Sequence, residues 1–180
     1  MSVLLALSRA IDRLSTLVHS FAMWLTLAAV LLSAGNAVTR KFSITSNAAL
    51  EMQWYLFSAV FLLCAAYTLL RGEHVKIDIL YGRLSRRTQI AIDIFGTLFF
   101  LLPLCIVTIH LVWPVVFDMI FSHERSANSG GLLLWPVWIL IPAGFLLLAL
   151  QGISEIIKRV AFLVGAGPDP VPGHQAEAPL

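Results

Sequence analysis

Few residues in this chain are of types that do chemistry, and their spacing sorts them quickly. Cys64 and Cys105 each lie inside an apolar run. They make no CxxC pair, metal quartet or disulfide framework, so both read as small packing residues. Glu73, His74 and Asp78 are metal-ligand types, but they share a short loop with Arg71 and Lys76 and have no fourth ligand close in sequence. We therefore expect no metal there. His110 is the acid or base that stands inside a long apolar run. A proton relay would use such a group, yet a single intramembrane histidine more often hydrogen-bonds a neighbouring helix. Glu51 stands at the edge of another run, where it either pairs with Arg40 or Lys41 across their loop or is solvated. No nucleophile–base pair, H-E-x-x-H, P-loop or G-x-G-x-x-G pattern occurs. The expectation is no catalysis and no cofactor.

The elements that hold these residues follow from where the charges fall. Of 180 residues, 59% are hydrophobic and 12% charged, with mean hydropathy +0.88. Soluble domains carry about 25% charged residues, so this chain cannot cover itself for water. A net charge of +2, with no basic cluster among aromatics, argues against nucleic acid. The charges bound four uncharged runs, and about 20 apolar residues suffice to cross a bilayer as a helix. The expected fold is all-α, a polytopic membrane protein with four transmembrane helices near 17–39, 52–70, 94–117 and 132–154. These make one domain over 1–162, followed by a flexible tail over 163–180 rich in Pro, Gly and Ala. The first run is longer than a signal-peptide core and lacks an A-x-A site, so it reads as a retained span.

Basic residues favour short cytoplasmic loops. With both termini inside, nine of the twelve fall inside: Arg9, Arg13, Arg71, Lys76, Arg83, Arg86, Arg87, Lys158 and Arg159. Arg40, Lys41 and Arg125 fall outside. Trp54, Trp113, Trp135 and Trp138 then cluster near the outer interface, which suits indole rings, and Trp24 lies elsewhere.

Before the first span, Leu4, Leu7, Ile11, Leu14 and Val18 recur at helical steps, with Ser8, Arg9, Asp12 and Arg13 on the other face. The pattern fits an amphipathic helix lying in the interface and equally an extension of the first span. Pro103 is expected to kink the third span, with Pro114 near its outer end. Pro136 suits a first helical turn, and Pro142 bends the same helix further in. Ala29, Ser33 and Ala37 make a small-residue stripe that lets another helix approach.

Four ordered features resemble the small membrane subunit (DctQ-like) of tripartite ATP-independent periplasmic (TRAP) transporters. Asn36-Ala-Val-Thr-Arg40-Lys-Phe42 is similar to the family's N-x-x-x-R-aromatic pattern at the end of span one. Ser46 to Glu51 precedes an aromatic-rich second span, as an acidic residue does in the family. Arg71-Gly72-Glu73-His74-Val75-Lys76-Ile77-Asp78-Ile79-Leu80 resembles the loop R-x-G-x-H-I-R-V-D-x-L, with lysine at 76. Pro136-Val137-Trp138 and Ile141-Pro142-Ala143-Gly144-Phe145 resemble the P-x-W … P-x-G-F run of the last span. The resemblance covers about residues 15–157.

It implies a role that composition does not. Such transporters import organic acids on a sodium gradient, using a periplasmic binding protein and a large elevator-type membrane subunit. The small subunit is a static scaffold in the bacterial inner membrane, holding neither substrate nor sodium; the gradient is used by the partner. Arg40, Lys41, Glu51 and Arg125 are then expected to contact the binding protein or brace the loop for it. Arg71, His74, Lys76 and Asp78 are expected to order the cytoplasmic loop and meet lipid phosphates. Ala29, Ser33, Ala37, Pro136, Trp138, Pro142 and Gly144 are expected to pack helices. The alternative is a stand-alone exporter or channel working as a homo-oligomer through His110.

Overall fold

A computed structural model of the chain describes residues 2–42, 47–73, 84–165 and 167. Four helices account for nearly all of them, each long and apolar enough to cross a membrane. They are α1 (Ser2–Lys41), α2 (Asn47–Arg71), α3 (Arg86–Ser122) and α4 (Trp135–Leu163). The charge-free runs dictate this outcome, because a backbone in lipid must bond to itself and a helix does so locally. Surface chemistry agrees: Phe61 is 78% and Phe100 69% exposed, with many other large apolar side chains turned outward. Such a surface is matched to hydrocarbon, not to water.

The 40 residues of α1 form one unbroken helix, roughly 60 Å long at 1.5 Å per residue. Of the two readings of its first turns, the extension of the first span is the one seen. Of the polar face, Ser8 and Asp12 pack on α4 together with Ser15, while Arg9 and Arg13 are exposed; of the apolar face, Ile11 is buried while Leu4, Leu7 and Leu14 are exposed.

Five of the six buried residues described on α1 recur every seven positions. Ser8, Ser15, Ala22, Ala29 and Asn36 are all buried. A heptad spacing keeps one stripe facing its neighbours under slight left-handed supercoiling, and small side chains let those neighbours come close. Both α2 and α4 pack on α1 and on each other. The expected stripe of Ala29, Ser33 and Ala37 is thus shared only in part: Ser33 is half-buried and Ala37 exposed.

Gly144 sets the α2–α4 crossing. A Cβ there would come 2.8 Å from the Leu62 carbonyl oxygen, so only glycine allows this approach. Pro142, two residues before it, is also buried, while Pro136 and Trp138 occupy the short first turn Trp135–Trp138 and are half-buried.

α3 begins earlier than the expected start near 94. Ser85 caps it, accepting from the Thr88 N–H, and the helix runs through Asp93. The irregularity expected at Pro103 takes the form of a π-helical turn at Thr97–Leu101 directly before it. Within that turn the Leu102 N–H bonds to the Thr97 carbonyl, five residues back. A ring at position 103 has no N–H to give, and a widened turn is one way to absorb the mismatch. α3 leans on α4 and makes no comparable contact with α1 or α2.

Candidate functional site

Polar side chains gather at the two ends of the bundle. At the first end, the turn from Ser126 to Leu132 folds onto the second turn of α2. Glu51 is only 5% exposed there. One of its carboxylate oxygens accepts from the Ser126 hydroxyl and from Asn128 Nδ2 at 2.7 Å. The other accepts from the Leu132 N–H at 2.8 Å. Three donors on one carboxylate make a strong local clamp, because charge-assisted hydrogen bonds exceed neutral ones. Asn47 Nδ2 donates to the Ser129 carbonyl at 3.2 Å, and the Tyr55 hydroxyl donates to the Leu133 carbonyl at 2.9 Å. Arg125 pairs with Leu133 through a single β-bridge, and its side chain is exposed.

Glu51 thus bonds across to the α3–α4 loop and not to Arg40 or Lys41. Those two occupy the last turn of α1 and are exposed. Buried as it is, Glu51 offers a docking protein little surface, whereas Arg40, Lys41 and Arg125 do offer it.

At the opposite end, α1, α3 and α4 are tied by a denser network. The hydroxyls of Ser8 and Ser154 lie 2.7 Å apart, and Ser15 donates to Gln151 Oε1 at 2.8 Å. Asp12 accepts from Gln151 Nε2 at 2.9 Å, from Ser154 at 2.8 Å and from Lys158 at 3.2 Å. Glu155, 2% exposed, pairs with Lys158 and with Arg159 Nη1 at 2.6 Å. Arg159 Nε then reaches Asp93 on α3 at 3.3 Å. No buried side-chain nitrogen or oxygen among the described residues lacks a partner. A closed network of this kind holds geometry well, since loss of any member strands another in a low-dielectric site.

Sequence reasoning missed this second clamp. Its signal was present: residues 8, 12 and 15 share one helical face, as do 151, 154, 155 and 158. Nothing local reveals that the two faces meet across the whole chain.

The expectation that His110 alone is ionisable within the spans is also corrected. His19, in α1, stacks flat on Tyr67 of α2 at 3.8 Å between ring centroids. Its Nδ1 lies 3.6 Å from Cys64 Sγ, while Cys105 is fully buried in α3. No cluster of metal-ligating side chains is found among the described residues. Arg71 ends α2 and lies 3.8 Å from Glu73, both exposed. His74, Lys76 and Asp78 fall outside the described residues. His110 is exposed on an apolar groove between α3 and α4.

Four apolar helices, tied to each other by side chains at both ends, define a polytopic helical membrane protein. Residues 29–162 match the family model described as "Tripartite ATP-independent periplasmic transporters, DctQ component". The match covers most of the chain, which therefore belongs to this family as the small membrane component of a TRAP transporter. Comparison with curated proteins and with solved structures found no match.

Proposed function

We propose that this chain is the fixed anchor of a sodium-coupled transporter. In this reading the transporter imports organic acids with a periplasmic binding protein and a large elevator-type membrane subunit. Family membership supplies the setting, and one observation carries the role. Two hydrogen-bonded networks, one at each end of the bundle, tie the helices to each other. An elevator needs a partner that holds its depth while it slides. Basic residues at one interface and tryptophans at the other resist vertical movement. Both termini are then cytoplasmic, in a bacterial inner membrane, with the Glu51 clamp facing the periplasm. There the braced loop and the exposed Arg40, Lys41 and Arg125 form a docking surface for the binding protein. At the cytoplasmic face, Arg71 and Lys76 meet lipid phosphates while His74 and Asp78 order the turn into α3.

Reconstitution tests the reading. Vesicles holding all three proteins should take up an organic acid only with an inward sodium gradient, and omitting this chain should abolish uptake. Transport by this chain alone would instead favour a stand-alone exporter or channel.

A further inference from the structure

At the end of the bundle that holds the first turns of α1, every described carboxylate has a cation beside it. Lys158 and Arg159 take Asp12, Glu155 and Asp93, and Arg71 lies beside Glu73. Arg9 and Arg13 are left over. Both are exposed, and neither meets a carboxylate among the described residues. The Arg9 Nε donates to the Leu5 carbonyl at 3.3 Å, and neither guanidinium makes another side-chain bond among the described residues. Four residues apart, the two are neighbours on the helix surface, where like charges repel. An anion between them removes that repulsion, and the planar fork of a guanidinium matches phosphate oxygens.

Toward the middle of α1 the same face is apolar. Leu17, Phe21 and Trp24 follow Arg13 at four, eight and eleven residues, and they are 69%, 58% and 70% exposed. Hydroxyls beside this strip are satisfied within the helix, since Thr16 and Ser20 each donate to the carbonyl four residues back. No Lys, Arg, Asp or Glu occurs from Leu14 to Thr39. Arg13 and Arg9 are thus the first charges at the edge of a strip matched to hydrocarbon, where the headgroup layer begins. Strip and cations together have the outline of one phospholipid, with its chain along the strip and its phosphate at the arginines. A soluble acidic protein would match the cations alone, and an apolar helix the strip alone. Two unopposed cations also favour a lipid that carries no cation of its own. We propose that this face of α1 holds an anionic phospholipid, its phosphate between Arg9 and Arg13 and an acyl chain along Leu17, Phe21 and Trp24. The proposal goes beyond the transport reading and needs no choice of which end faces the cytoplasm.

The test places the full chain in phosphatidylcholine nanodiscs doped with a photoreactive lipid, which carries a diazirine on the acyl chain of either phosphatidylglycerol or phosphatidylcholine. After irradiation, adducts on residues 14–24 are mapped by mass spectrometry. Phosphatidylglycerol should label this segment more heavily. Arg13→Gln should lower that preference about fivefold, the weight of one basic residue at an anionic surface, and Arg9→Gln with Arg13→Gln should abolish it. Arg9→Lys with Arg13→Lys, which keeps both charges, should retain most of it. Equal labelling of the unaltered chain by the two lipids would overturn the proposal, and so would a preference that survives the double glutamine change. Labelling lost in the complete transporter would show a protein on this face instead of a lipid, and would overturn it as well.

Discussion

At the residue scale, burial decides which charges matter. Glu155 and Arg159 are paired at 2.6 Å with both side chains under one-tenth exposed, whereas Arg71 and Glu73 lie 3.8 Å apart in the open. Removing one partner of a buried pair strands the other charge and typically destabilises by about 3–5 kcal/mol. Exposed pairs contribute roughly 0–1 kcal/mol. Glu155→Ala should therefore lower the unfolding temperature in detergent sharply, and Arg71→Ala should barely move it. Equal shifts for the two would contradict the network. Glu51→Gln keeps the shape but turns an amide N–H toward one of three donors that now meet a carboxylate. Amide exchange from Ser126 to Leu132 should accelerate while the middle of α2 stays protected; unchanged exchange in that loop would mean Glu51 does not hold it.

At the element scale, the four spans were legible because the bilayer imposes a length and the charges mark its edges. Pairings between elements were not legible. The polar face of the first turns looked solvated because its partners, Gln151 and Ser154, stand well over a hundred residues away. Glu51 was visible as an edge residue, but its donors belong to a loop after the third helix. The small-residue stripe has a period of four, whereas five of the six buried residues described on α1 recur every seven, Ile11 being the exception. Two substitutions separate those registers. Ala22→Leu should overpack the α1 seam, at about 1–3 kcal/mol, and reduce folded yield. Ala37→Leu, on an exposed position, should leave yield unchanged. The reverse ranking would restore the four-residue stripe. Gly144→Val should be as damaging as Ala22→Leu, because the new side chain would meet the Leu62 backbone.

At the scale of the whole molecule, two clamps and a small-residue seam describe a body built to keep its shape. If this chain is the anchor, the partner moves during transport and these helices do not. A disulfide asks that question directly, since the Ser8 and Ser154 hydroxyls are only 2.7 Å apart. Ser8→Cys with Ser154→Cys places two thiols close together, and their oxidation should lock α1 to α4. The decisive measurement is sodium-driven uptake by the complete transporter in vesicles, with this pair first oxidised and then reduced. The same uptake rate is expected in both states. Uptake lost on oxidation and restored by reductant would mean that these helices move against each other during transport, and the anchor reading would be wrong.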